Sequence, residues 1–153
     1  MKKTYRMTKQ GVDELTIEIA ELISQRKAVS DRIKTAREFG DLSENAEYTI
    51  ARQEQERNEN RISEIENILK NLELIVAPKN ASQVRLGSTV KLKSQDGDVK
   101  AFQVVGTVEA DPLNGKISDE SPIGKTVLGK KEGETIDIST PAETTSFRIV
   151  NIS

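Results

Sequence analysis

One pattern constrains this chain more than any other: a heptad series that reads the same forwards and backwards. Apolar and a few polar positions alternate three and four apart through Val12, Leu15, Ile19, Leu22, Arg26, Val29, Ile33 and Ala36. A second series runs Tyr48, Ala51, Gln55, Asn58, Ile62, Ile65, Leu69, Leu72 and Val76. A mean spacing of 3.5 is the a/d seam of a coiled coil. Pairing the first series with the reverse of the second gives Val12/Leu72, Leu15/Leu69, Ile19/Ile65, Leu22/Ile62, Arg26/Asn58, Val29/Gln55, Ile33/Ala51 and Ala36/Tyr48, and the numbers in every pair add to 84. A shared sum is the register of two antiparallel arms folded about residue 42. Each arm is expected to run about 30 residues, roughly 45 Å at 1.5 Å per residue.

The seam turns polar at mid-length, where Arg26, Asn58 and Gln55 replace apolar residues. Such layers can fix register. The favoured reading is simpler: a two-helix seam is half open to water, and Arg26 lays its aliphatic stem along it.

Punctuation divides the chain. Residues 1–78 hold only Gly11, Gly40 and Pro78 among the helix breakers, and residues 79–153 hold the other seven glycines and three prolines. Two domains are expected, a hairpin over 1–77 and a second domain over 78–153. Ser88–Ser94 alternates as a strand, Gln95–Asp98 reads as a turn, and Val99–Val108 reads as a longer strand. Ile136, Ile138, Phe147, Ile149 and Ile152 supply two more alternating segments. Between them, Ser121 as N-cap, Pro122 at N1 and a closing Gly129 predict one short helix. The fold class is therefore α+β: a long N-terminal antiparallel coiled-coil hairpin, then a small antiparallel sheet around one helix. So few apolar residues give the second domain only marginal stability alone.

Composition limits the chemistry. The 153 residues include no cysteine, histidine or tryptophan, only two Tyr and three Phe, and carry a formal charge of −2. Zinc fingers, Cys–His and Ser–His–Asp nucleophiles and imidazole bases are excluded. What remains is carboxylates, Lys, Arg and hydroxyls, with a hard, oxygen-liganded metal such as Mg²⁺. No stretch approaches a membrane span and the first residues lead into no signal-peptide apolar region, so a soluble, cytoplasmic protein is expected.

Attention falls on the hairpin's turn, Arg37-Glu38-Phe39-Gly40-Asp41-Leu42-Ser43-Glu44-Asn45-Ala46-Glu47-Tyr48. Gly40 suits the end of the first helix. Asp41 and Glu44 have capping-box spacing, with Asp41 as N-cap and Glu44 at N3. The same two carboxylates could instead share a divalent cation at the end of a rod. Spacing leaves both open. Phe39 and Leu42 have no evident use in a solvent-exposed turn. Lys34, Arg37 and Arg52 form a basic cluster behind the acids. Salt bridges to Glu38, Glu47 and Glu56 would account for it, as would a nucleic-acid phosphate backbone.

The turn string resembles the tip signature of the bacterial transcript-cleavage (Gre) factors. The likeness extends over the whole chain, from Met7-Thr8 to the run Ile117-Ser118-Asp119-Glu120-Ser121-Pro122-Ile123-Gly124-Lys125 with Leu128-Gly129-Lys130. It implies that the second domain is FKBP-like, without isomerase activity, and docks on RNA polymerase, with Ser121, Pro122, Ile123, Gly124 and Lys125 as the docking segment. It implies a hairpin in the polymerase's secondary channel, stimulating the polymerase's own Mg²⁺-dependent endonucleolytic cleavage of backtracked nascent RNA. The factor is then an accessory and not itself an enzyme. Its partners are RNA polymerase and the RNA 3′ end, and it acts as a monomer. By the resemblance, Asp41 and Glu44 are the catalytic pair that shares Mg²⁺ with the polymerase, while Arg37, Arg52 and Lys34 contact RNA. The chain departs from the family at Gln55–Asn60, where a Gly–aromatic–Gly stretch is commoner; this leaves the basic patch small. Paralogues that inhibit polymerase without cleavage are the alternative, against which the intact acidic pair argues.

Overall fold

The computed structural model describes residues 3–41, 45–76, 82–139 and 141–153. The elements are β1 (Tyr5–Thr8), α1 (Lys9–Arg37), α2 (Ala46–Lys70), β2 (Leu72–Ile75), β3 (Thr89–Ser94), β4 (Val99–Val105), β5 (Lys116–Ser118), α3 (Pro122–Val127), β6 (Thr135–Ser139) and β7 (Thr144–Ile152). Two compact units result, one of Val12–Asn71 and one of Met1–Gly11 with Leu72–Ser153. The boundary expected at 77/78 lies outside the described residues.

The helical unit is the hairpin. Three cross-helix ion pairs fix its direction: Glu18 with Arg61, Arg26 with Glu59 and Arg32 with Glu54. The α2 partner falls as the α1 partner rises, as antiparallel arms require. Leu15, Val29, Ile33 and Ala36 of α1 and Ala51, Ile62 and Ile65 of α2 are all buried. Arg61 donates from Nη2 to Glu18 Oε1 at 2.9 Å and from Nε to Oε2, and these bonds hold the Glu18 carboxyl below its ordinary pKa.

At the polar layer the Arg26 guanidinium forks onto Glu59 of the other helix, Nε to Oε1 at 2.7 Å and Nη2 to Oε2 at 3.0 Å. Two seam expectations need correction. Near the end of α2, Ile68 is buried (1% exposed) where Leu69 was expected, because a straight helix at 3.6 residues per turn drifts from a 3.5 repeat. Finally, Leu72 is not helical: α2 stops at Lys70, Leu72 opens β2, and Val76 is 79% exposed.

In the other unit, β2 pairs in parallel with β1, Tyr5 opposite Leu72 through Thr8 opposite Ile75. The five-stranded sheet has the order β5-β4-β3-β7-β6. All of its pairs are antiparallel except β4 with β5, which is parallel, so the wholly antiparallel expectation is corrected at that edge. A parallel neighbour needs a crossover, here supplied by residues 106–115. β4 stops at Val105, short of the expected Val108, because the Gly106 backbone packs on β1: a Cβ there would lie 2.3 Å from the Arg6 carbonyl oxygen. The core gathers Val84, Val90, Leu92, Val104, Ile117, Val127, Ile136 and Ile149.

A buried carboxylate fastens the first turn of α1 to the same unit. Glu109, 8% exposed, accepts from the Thr8 N–H at 2.8 Å and from Thr8 Oγ1 at 2.5 Å. Thr8 Oγ1 in turn accepts from the Gly11 N–H at 3.2 Å, as an N-cap does. Lys116 Nζ stands 3.7 Å from Glu109 Oε2. Glycine at position 11 leaves room for this carboxylate: a Cβ would fall 2.5 Å from Glu109 Cδ, and the Glu109 side chain would have to shift.

Candidate functional site

After α1 the chain winds on in tighter turns: the Glu38 N–H donates to Thr35 O at 3.1 Å, Phe39 to Ala36 O at 3.2 Å and Gly40 to Arg37 O at 3.2 Å. Gly40 has φ +102° and no atom within 4 Å of a Cβ, so the backbone conformation and not crowding demands glycine.

The capping expectation is overturned here. The N-cap of α2 is Asn45, not Asp41. Asn45 Oδ1 accepts from the Tyr48 N–H at 3.1 Å, and Asn45 Nδ2 donates to the Ala36 carbonyl at 2.6 Å. One side chain thus serves the start of α2 and the last turn of α1. A carboxylate accepts but cannot donate, so neither acid could make both bonds. Sequence reading missed Asn45; its signal was an N-cap residue three before Tyr48, masked by the stronger Asp41/Glu44 spacing. Asn45→Ala is expected to lower hairpin stability by about 1–2 kcal/mol, read as a fall in the thermal midpoint.

Asp41 is exposed and lies outside both helices. It lines a concavity of about 430 Å³ with Phe39, Asn45, Ala46 and Glu47. Glu47 in the first turn of α2 is favoured by the helix dipole. Glu44, with Leu42 and Ser43, falls outside the described residues.

Behind this acidic end stand the cations. Lys34 and Arg37 occupy the last turn of α1, where positive charge complements the dipole. The Arg37 guanidinium lies 5.8 Å from the Tyr48 ring centroid, a cation–π contact, and Tyr48 packs on Val29, Ile33 and Ala51. Arg52 donates from Nη1 to Gln55 Oε1 at 2.7 Å. Among the described residues no ion pair joins Lys34, Arg37 or Arg52 to Glu38, Glu47 or Glu56, so the salt bridges expected to these three glutamates do not account for the cluster. Gln55, one of the residues departing from the family pattern, partly engages Arg52.

The segment at 121–125 is divided in its duties. Ser121 Oγ accepts from the Gly124 N–H at 3.1 Å and donates to the Ser118 carbonyl at 2.6 Å. Ile123 packs against the core and Gly124 is buried. Only Pro122 and Lys125 are exposed.

As for a metal, Asp41 offers the hard oxygen donors that Mg²⁺ takes. Among the described residues no three acidic side chains gather into a cage.

Residues 5–74 match the family described as "Transcription elongation factor, N-terminal", and residues 78–153 match "Transcription elongation factor, GreA/GreB, C-term". The chain is 44% identical to transcription elongation factor GreA of Bacillus cytotoxicus, over 99% of this chain and 98% of the relative. It is 43% identical to GreA of Lactococcus lactis, over 99% of each. A solved structure of the transcription factor Gfh1 is 30% identical over 99% of both chains, with a TM-score of 0.48. Family matches over both halves, with identity above two-fifths along nearly the full length, show that this chain belongs to the GreA/GreB family of transcription elongation factors.

Proposed function

We propose that the hairpin enters the secondary channel of RNA polymerase tip first and stimulates the polymerase's own hydrolysis of backtracked nascent RNA. The observation that carries this reading is the exposed Asp41 carboxylate just beyond the end of α1, sharing one concavity with Glu47, with Asn45 and not Asp41 at the N-cap of α2. Asp41 and Glu44 would hold Mg²⁺ together with carboxylates of the polymerase. Bound there, the metal supplies an activated water and neutralises charge developing on the phosphodiester.

The chain's own residues do the positioning. Gly40 and Asn45 close the turn and hold Asp41 at the end of α1, a helix of 29 residues, roughly 43 Å long. Lys34, Arg37 and Arg52, set back from the tip, engage the phosphates of the extruded strand, Arg by its planar fork and Lys as a point charge. In this reading the protein is an accessory that lends groups to the polymerase's active site in place of catalysing by itself. Docking through the exposed Pro122 and Lys125, action as a monomer and residence in the cytoplasm complete the proposal. Among the described residues no helix is long and apolar enough to cross a membrane.

The test uses stalled, backtracked elongation complexes incubated with the full-length protein and Mg²⁺. Accelerated release of RNA 3′ fragments, followed by resumed elongation, is the expected result. Slowed elongation without fragment release would replace this reading with that of a channel-blocking inhibitor.

A further inference from the structure

Resting on the proposed function, we propose that Phe39 is the stacking platform for the unpaired terminal base of the extruded RNA. Of the chain's three phenylalanines, Phe102 and Phe147 pack against the sheet core, while Phe39 is 73% exposed. A lone exposed apolar side chain is ordinary; its setting here is not. The backbone under the ring is held by the bonds from Phe39 N–H to Ala36 O and from Gly40 N–H to Arg37 O, both 3.2 Å. The ring shares its concavity with Asp41, the proposed catalytic carboxylate.

Charge decides which part of a nucleotide belongs there. Asp41 and Glu47 line the concavity, and none of Lys34, Arg37 and Arg52 does. Away from the shared metal, a phosphate would be repelled by these carboxylates; a neutral nucleobase with a π-face would not. Apart from the scissile phosphodiester at the metal, the phosphates are then left to the cations further back along the hairpin. An apolar wall of the polymerase fits less well, because packing it over Phe39 would strip water from the two neighbouring carboxylates. A base stacked on an open ring leaves them wet. Stacking also tolerates any base, as a factor acting on arbitrary transcripts requires.

The experiment uses reconstituted backtracked complexes whose extruded 3′ nucleotide is either normal or abasic. Wild type, Phe39→Ala, Phe39→Leu and Phe39→Trp are compared by the factor concentration giving half-maximal cleavage and by the rate at saturation. On normal RNA, Ala and Leu are each expected to raise that concentration about tenfold, the worth of one base–aromatic stack. Trp should match wild type, and the saturated rate should hold in all. On abasic RNA, wild type should weaken by a similar factor, and Phe39→Ala should add no further loss. Rescue by Leu, or an undiminished Ala defect on abasic RNA, would overturn the proposal in favour of an apolar contact with the polymerase. A wild type that cleaves neither RNA would overturn the parent reading and this one together.

Discussion

Asp41→Asn is expected to abolish most cleavage of backtracked RNA while leaving polymerase binding intact. The substitution keeps shape and removes one negative charge and one metal-binding oxygen. A metal's stabilisation of the transition state is worth several kcal/mol, so losing its tip ligand should cost about two to three decades in rate. Asp41 lies outside both helices and is not the α2 cap, and asparagine keeps its shape and can still accept a hydrogen bond, so the thermal midpoint should change little. Pairing the two measurements separates chemistry from structure: cleavage falls and stability holds. Unchanged cleavage would remove Asp41 from the mechanism. A fall in stability of the same order as Asn45→Ala would show that Asp41 works for the turn instead.

Gly124→Ala should be the most destabilising small change in the sheet unit. Gly124 has an ordinary negative φ, so alanine is conformationally allowed, and alanine in a helix gains about 1 kcal/mol over glycine. Space reverses that gain. A Cβ would sit 1.9 Å from the Ser118 carbonyl oxygen and 2.9 Å from its carbon, both backbone atoms. Helix α3 has to shift, straining the Ser121 cap and the packing of buried Val127. A net loss of about 2–3 kcal/mol is expected, read as a fall of roughly 10–20 °C in the unit's melting transition. Lys125→Ala is the matched control. Lys125 is exposed, so stability should hold, while polymerase affinity should drop if this surface docks. An unchanged midpoint for Gly124→Ala would mean that α3 packs more loosely than its contacts indicate.

The hairpin was legible because its pattern carried two independent signals, a 3.5 period and a shared sum. Cross-helix pairs Arg26–Glu59 and Arg32–Glu54 follow that register closely. Strands β3, β4, β6 and β7 were legible from alternation, and α3 from its Ser-Pro start. β1 and β2 were not. Tyr5–Thr8 and Leu72–Ile75 are four residues each and pair across 67 positions, so neither has a local signal strong enough to read alone. Leu72 even fitted the heptad that α2 abandons.

The candidate site divides in the same way. Residue types named the acids, the cations and the odd Phe39. They could not say which polar residue caps α2, since Asp, Ser and Asn all suit an N-cap. The answer came from the Ala36 carbonyl, a group at the end of the other helix that needs a donor. Nor could sequence find Glu109, a carboxylate 101 positions from the Thr8 it binds.

By itself, then, the sequence determined everything that repeats: the period of the seam, its mirror register, strand alternation and the exclusion of histidine and cysteine chemistry. These follow from side-chain spacing, which a linear chain displays directly. Tertiary structure decided the single contacts: Asn45 across the turn, Arg26 onto Glu59, Glu109 beneath Thr8 and Gly124 against Ser118. Each depends on one donor, acceptor or Cβ meeting an atom brought near by folding. No period announces such a meeting; only the folded chain creates it.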